Sequence, residues 1–213
     1  MEKNIIVTGV GGQGSVLLSH IIAEAALKEH GEKYNVRVGE TFGAAQRGGA
    51  VASHVRIGEA VHGPLTGKGA AHLIIALEPL EALRLGVPYL SPTGTVVMST
   101  AIQPPVDVKV GAADYPPVES IVEALGGLGE RVVSFDAAEL AREAGSIKVL
   151  SMVMLGAAFA SGMLPFSTET LRGVIADKVP PDTVDMNLAA FNAGEKAFAE
   201  SVAVCEHEVS SNE

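Results

Sequence analysis

Cysteine is nearly absent from this chain: Cys205 is the only one in 213 residues. One thiol cannot close an internal disulfide, and it cannot hold an iron–sulfur cluster or a thiolate zinc site, each of which needs several sulfur ligands. Tryptophan is missing and aromatics reach only 4%, which leaves little ring surface for stacking nucleic-acid bases. Positive charge is also scarce. With 15 Lys and Arg against 25 Asp and Glu the net charge is −10, a balance that argues against nucleic acid or an anionic membrane as partner. No apolar run reaches membrane-spanning length, and no basic-then-apolar leader opens the sequence. The most apolar stretch, residues 149–160, is short and rich in Ala and Gly, so it reads as a buried helix, and the expected location is the cytoplasm.

What is present is aliphatic. The hydrophobic fraction is 47%, enough for one substantial domain spanning residues 1–213. Short β-branched runs predict strands over 4–8, 34–38, 50–57, 72–77, 94–100 and 131–135. Between them lie helical patterns at 78–84, with Pro79 in the first turn, and at 118–125 and 137–144. Residues 50–57 alternate with a period of two, and Gly58-Glu59 suggests a hairpin into 60–62 with an antiparallel edge. Val106, Val108 and Val110 form a further short alternation. From Ile147 onward the pattern is helical, broken at 162–165 and at Pro180-Pro181, with Ser167 and Asp182 or Thr183 as N-caps. The expected fold is α/β: a three-layer, Rossmann-like mixed sheet with a helical C-terminal layer.

The run Gly9-Val10-Gly11-Gly12-Gln13-Gly14 sits where the first strand meets a helix whose apolar face is Leu18, Ile21, Ile22, Ala25 and Ala26. Its Gly9, Gly11, Gly14 spacing fits the dinucleotide fingerprint, which also wants an acid at the end of the second strand. Glu40 is the first acid there, and it arrives late. Two readings stand side by side: a nucleotide cradle, or a tight strand–helix turn whose glycines serve packing.

Other chemistries find no anchor. His20, His30, His54, His62, His72 and His207 show no metal-ligand spacing, and neither a Gly-x-Ser-x-Gly elbow nor a Walker-type Gly-Lys-Ser/Thr occurs. The loop Gln46-Arg47-Gly48-Gly49 stands out instead. A guanidinium offers a planar fork for carboxylate or phosphate, and a loop just before a strand should reach the sheet edge where open α/β folds place ligands.

Taken together, Gly9–Gly14, Glu40 with Phe42-Gly43, Ala45-Gln46-Arg47-Gly48-Gly49, Ser53-His54-Val55-Arg56 and Glu78-Pro79-Leu80-Glu81-Ala82-Leu83-Arg84 resemble the gamma-type subunit of 2-oxoacid:ferredoxin oxidoreductases, in particular the beta subunit of the indolepyruvate enzymes. The resemblance implies support of coenzyme A-dependent oxidative decarboxylation of a 2-oxoacid such as an aryl pyruvate, with electrons passed to ferredoxin. It implies that thiamine diphosphate and iron–sulfur clusters lie on a large partner subunit, that the chain alone carries no cofactor and is inactive, and that it could pair with a second copy when isolated. It further implies a cofactor-facing rim of Gly11, Gly12, Gln13, Gly14, Gln46, Arg47, Gly48 and Gly49, with Arg47 pairing a substrate carboxylate, a coenzyme A phosphate or a partner acid. The competing expectations are a free-standing nucleotide-binding Rossmann-type oxidoreductase and a pure assembly module.

Overall fold

The computed structural model describes residues 2–42, 48–104 and 106–210, the side chains of 106–107 and 204–210 excepted. Six strands form one mixed sheet: β1 (Glu2–Val10), β2 (Asn35–Phe42), β3 (Ala50–Gly58), β4 (Ala71–Ala76), β5 (Leu90–Ser99) and β6 (Arg131–Phe135). They lie in the order β2-β3-β1-β4-β5-β6. Strands β1, β4, β5 and β6 run parallel, while β3 is antiparallel to both of its neighbours, β1 and β2. The expected mixed sheet is therefore present, but its antiparallel member is β3 itself. Residues 60–62 belong to no strand, so the hairpin expected after Gly58 does not form. Both edges of β3 are already taken by β1 and β2, which leaves residues 60–62 no partner there.

Parallel strands at the centre of a sheet are covered on both faces and read as unbroken apolar runs. In β1, Ile5, Ile6 and Val7 are all fully buried. Successive side chains point to opposite faces, and the two faces have separate cores. Ile5, Val7, Val55, Leu73, Ile75, Val97 and Val133 pack on one side. That side carries α1 (Ser15–His30), α5 (Ala137–Glu143), α6 (Leu150–Ala160), α7 (Thr168–Lys178) and α8 (Val184–Ser210). Ile6, Ile74, Ala76, Val96 and Met98 pack on the other, against Ala82 of α2 (Pro79–Tyr89) and Ile121 and Leu125 of α4 (Val118–Gly126). The three layers match the expected architecture.

Local chemistry sets the helix ends. The buried face of α1 is Leu18, Ile21, Ile22, Ala25 and Ala26, an i, i+3, i+4, i+7, i+8 stripe, and the helix stops at Gly31, whose φ of 55° is strained for other residues. Ser167 caps α7 by accepting from the Thr170 N–H. Thr183 directly precedes α8, but its hydroxyl donates back to the Pro180 carbonyl. The Val106, Val108, Val110 alternation proves to be one helical turn, α3 (Val106–Lys109), and no strand.

Helix α6 is buried from Leu150 to Ala158, which an all-apolar helix must be. Its neighbour α8 crosses it at two glycines. A methyl group on Gly156 would lie 1.9 Å from the Phe191 carbonyl oxygen, and one on Gly194 would lie 1.9 Å from the Val153 oxygen. Backbone meets backbone here, and nothing flexible can yield. Gly156→Ala is therefore expected to lower the unfolding free energy by about 1–3 kcal/mol. Gly173→Ala on the exposed face of α7, where an added methyl meets nothing within 4 Å, should instead gain up to about 1 kcal/mol of helix propensity. Urea unfolding followed by circular dichroism measures both, and equal stabilities would overturn the close-contact argument.

Candidate functional site

The carboxyl ends of β1, β4, β5 and β6 lie on one edge of the sheet, the edge where open α/β folds accommodate ligands. Because β3 runs the other way, its first residues reach that same edge, as does the end of β2. The topology thus collects the Gly11–Gly14 turn, the segment entering β3 at Gly48-Gly49, the Leu77-Glu78 corner and residues 100–104. A hydrogen bond joins the first two directly: the Gly11 N–H donates to the Gly49 carbonyl at 2.9 Å. The two glycine-marked segments expected to share a rim do share it. Gln46 and Arg47 fall outside the described residues.

Within the turn, Gly12 and Gly14 take φ values of 106° and 88°, a region where a Cβ is costly. Gly14 is also crowded, since a methyl there would meet the Ser151 Oγ at 2.9 Å. Gly12 faces open space, with nothing within 4 Å of an added methyl. Gln13 turns its amide inward. Its Oε1 accepts from the Val10 N–H at 2.7 Å and its Nε2 donates to the Leu77 carbonyl at 3.1 Å, so the side chain braces β1 to β4.

Two cavities flank Gly12. One, of about 340 Å³, opens between Gly11, Gly12, Ser15, Phe42 and Val51. The other, of about 300 Å³, lies between the turn, residues 101–103 and the α5–α6 segment, where Arg142 and Lys148 reach it. These two cations were not among the residues expected from the sequence. Nothing in the local pattern around them marks a site, and only the parallel placement of β6 beside β5 brings them to this edge.

The wall formed by residues 101–103 is fastened by a buried carboxylate. Glu78 is the N-cap of α2 and has no solvent exposure. It accepts from the Glu81 N–H at 2.9 Å and from the Tyr115 hydroxyl at 2.5 Å, and the Gln103 backbone N–H also bonds to it. Burial raises the Glu78 pKa above the ordinary carboxylate value, against the opposing pull of these donors. Tyr115 is pushed up in turn by burial and by the neighbouring carboxylate. Glu81, also fully buried, lies 3.0 Å from an Arg84 guanidinium nitrogen.

The expected ribose-binding acid does not occupy a Rossmann position. Glu40 lies on β2, which is separated from β1 by β3, and its Oε1 sits 2.9 Å from the His20 Nε2. Among the described residues no group of three or more His, Cys, Asp or Glu could hold a metal ion. No helix among them is long and apolar enough to cross a membrane.

Residues 4–197 match the pyruvate ferredoxin/flavodoxin oxidoreductase family. The indolepyruvate oxidoreductase subunit IorB of Methanothermobacter thermautotrophicus is 43% identical over 201 residues, covering 94% of this chain and all of the relative. The IorB subunit of Thermococcus kodakarensis is 40% identical, covering 93% and 97%. Among solved structures, the gamma subunit of a keto/oxoacid ferredoxin oxidoreductase from Geobacter sulfurreducens shares the fold with a TM-score of 0.67 at 24% identity, over 93% of this chain and 99% of that one. A 2-oxoglutarate:ferredoxin oxidoreductase from Magnetococcus marinus shares it over 93% of this chain and 31% of that one, with a TM-score of 0.66 at 21% identity.

The Glu78 network makes a pH-dependent prediction. A folded-state pKa raised by burial stabilises the fold below the unfolded value of about 4.5, and that contribution is lost as pH rises through the folded value. Glu78→Gln cannot ionise, so the stability of the wild type relative to this variant should fall as pH rises from about 4 towards neutrality. Tyr115→Phe, which removes a donor from a buried carboxylate, should cost about 1–3 kcal/mol at neutral pH. Urea unfolding across pH tests both, and a pH-independent difference between wild type and Glu78→Gln would refute the first.

Proposed function

The chain belongs to the pyruvate ferredoxin/flavodoxin oxidoreductase family, and from that membership we propose that it is the non-cluster subunit of a 2-oxoacid:ferredoxin oxidoreductase acting on an aryl pyruvate such as indolepyruvate. The observation that carries this reading is the match to the IorB subunits, which runs over nearly the whole of both chains at 40–43% identity. The entire chain then acts as one gamma-type domain of a cytoplasmic complex.

The residues present fit no redox centre. A cluster needs several thiolates, and the sequence holds one cysteine. The sequence has no Gly-Asp-Gly thiamine signature, and among the described residues no group of three or more His, Cys, Asp or Glu could hold a metal ion. In this reading thiamine diphosphate and the clusters belong to a large partner subunit, where they would supply carbanion stabilisation and single-electron transfer. This chain contributes shape. Its own part is a rim of Gly11, Gly12, Gln13, Gly14, Gly48 and Gly49 that closes the partner's reaction chamber and excludes water, and the family resemblance adds Gln46 and Arg47 to the residues that serve it.

Exposed apolar residues support a partner interface at this rim. Phe42 is 62% exposed, Ile102 52%, Ile147 48% and Leu17 38%, and all four lie at the carboxyl edge of the sheet. Large apolar side chains gathered at one rim are the signature of an interface. The same surface would let two copies associate when the partner is missing.

Reconstitution provides the test. Adding the chain to its cognate large subunit should switch on 2-oxoacid- and coenzyme A-dependent reduction of a viologen dye. Dye reduction unaffected by the added chain, or tight NAD or FAD binding by the chain alone in equilibrium dialysis, would overturn the proposal. Arg47→Ala separates a site residue from a scaffold. Loss of one charge-assisted contact should lower turnover about tenfold while assembly persists, and unchanged turnover would leave the chain a scaffold.

A further inference from the structure

We propose that residues 59–70 form a strap across the β2–β3 side of the sheet, latched by a neutral His54 and released when His54 takes up a proton. The strap joins β3 to β4 at the amino edge, opposite the glycine turn. Side chains of the strands beneath grip its backbone. Arg56 donates to the Gly63 and Leu65 carbonyls at 2.9 and 3.4 Å, and the Asn4 amide donates to the Ala70 carbonyl at 3.1 Å. Pro64 and Leu65 lie against Gly39, where an added methyl would meet them at 3.0 and 3.1 Å. The strap thus covers the middle of β2, the end strand of the sheet, and its release would bare that strand.

One further contact titrates. His54 is 2% exposed, and its Nδ1 accepts from the Thr66 N–H at 3.3 Å. A ring nitrogen that accepts from an amide carries a lone pair, so the proton sits on Nε2 and the ring is neutral. Protonation would set an Nδ1–H against the Thr66 N–H, donor facing donor. It would also bury a charge without a counter-charge, since Glu2, the acid on this face, is already paired with Arg56 at 2.7 Å. Of the other groups on this side, Arg37 of β2 donates to the Val36 carbonyl, and Tyr89 of α2 meets the imidazole edge-on at 5.3 Å. On β4, His72 is a second acceptor, taking the Asn4 N–H on its Nδ1 at 3.0 Å. Glu59, His62 and Lys68 of the strap face solvent. Burial therefore lowers the His54 pKa with no charge to oppose it. The closed strap also buries the Thr66 Oγ1, which has no hydrogen-bond partner among the described residues, so opening supplies a bond to water that closure forgoes.

Opening hydrates the ring and restores its ordinary value of 6.5, so the closed strap binds fewer protons than the open one. Closure is complete above that pH and weakens below it, with the opening equilibrium rising by up to about tenfold per pH unit. Hydrogen exchange of the full chain, resolved by NMR from about pH 7.5 to about 5 and corrected for the intrinsic rate, should show Thr66 protection falling by this factor. Thr66 should exchange at least about tenfold faster than Ile75 of β4 at every pH, the mark of a local opening. His54→Gln keeps a side-chain acceptor and cannot titrate, so it should abolish the slope at Thr66, whereas His72→Gln should keep it. In the wild type, nitrogen-15 shifts of the His54 ring should show the Nε2–H tautomer at neutral pH and a midpoint below 6.5. An Nδ1–H tautomer, a midpoint at or above that value, flat Thr66 protection, or exchange of Thr66 at the Ile75 rate would each overturn the latch. So would a slope that survives in His54→Gln or vanishes in His72→Gln. None of these readouts involves a partner subunit, so the latch and the proposed function fail separately.

Discussion

One side-chain amide holds the functional edge in place. Gln13 accepts from the Val10 N–H and donates to the Leu77 carbonyl, using both halves of its amide to tie the glycine turn to the ends of two parallel strands. A turn built from glycines has the backbone freedom to move. Here that freedom is withdrawn by the brace on one side and by the Gly11–Gly49 hydrogen bond on the other. Everything proposed for the rim needs this rigidity, since positioning groups must be fixed before they can orient a ligand or seal a neighbouring chamber.

The glycine turn, the alternation in β3 and the apolar stripe of α1 were legible in the sequence because each is local. The strand order was not. Placing β3 between β2 and β1 depends on pairings such as Thr8 opposite Ala52 and Val38 opposite Val55, and no local pattern encodes them. That one insertion explains why Glu40 fits the dinucleotide spacing and yet stands two strands from β1, next to His20. Arg142 and Lys148 escaped for the same reason. Their place in the fold follows from β6 joining β5, and residues 131–148 read alone as an ordinary strand and capped helix.

The C-terminal layer has a positional role as well as a stabilising one. The glycine-mediated crossing of α6 and α8 fixes α6 against the sheet, and the first turn of α6 reaches back to the glycine turn through Ser151, which crowds Gly14. Hence the far wall of the second cavity, formed by Arg142, Ile147, Lys148 and Leu150, is held by packing some 40 residues further along the chain. Fully buried side chains such as Val153 and Leu155 each contribute about 1.5–3 kcal/mol of burial, and that burial keeps an otherwise solvent-facing wall in register.

The near wall depends on a different kind of interaction. Glu78 sits where β4 gives way to α2, without contact with water, and its carboxylate collects donors from α2, from Tyr115 and from the backbone of Gln103. Burying a charge without partners would be prohibitive, so the donors and the carboxyl require one another: remove one, and the remaining groups lose the reason for their placement. Gln103 is thereby fixed relative to the β4–α2 corner, the same corner that Gln13 grips through Leu77. The two braces meet at residues 77–78, so the glycine turn and the 101–103 wall are referenced to a single point of the sheet, and the cavity between them keeps its shape on both sides.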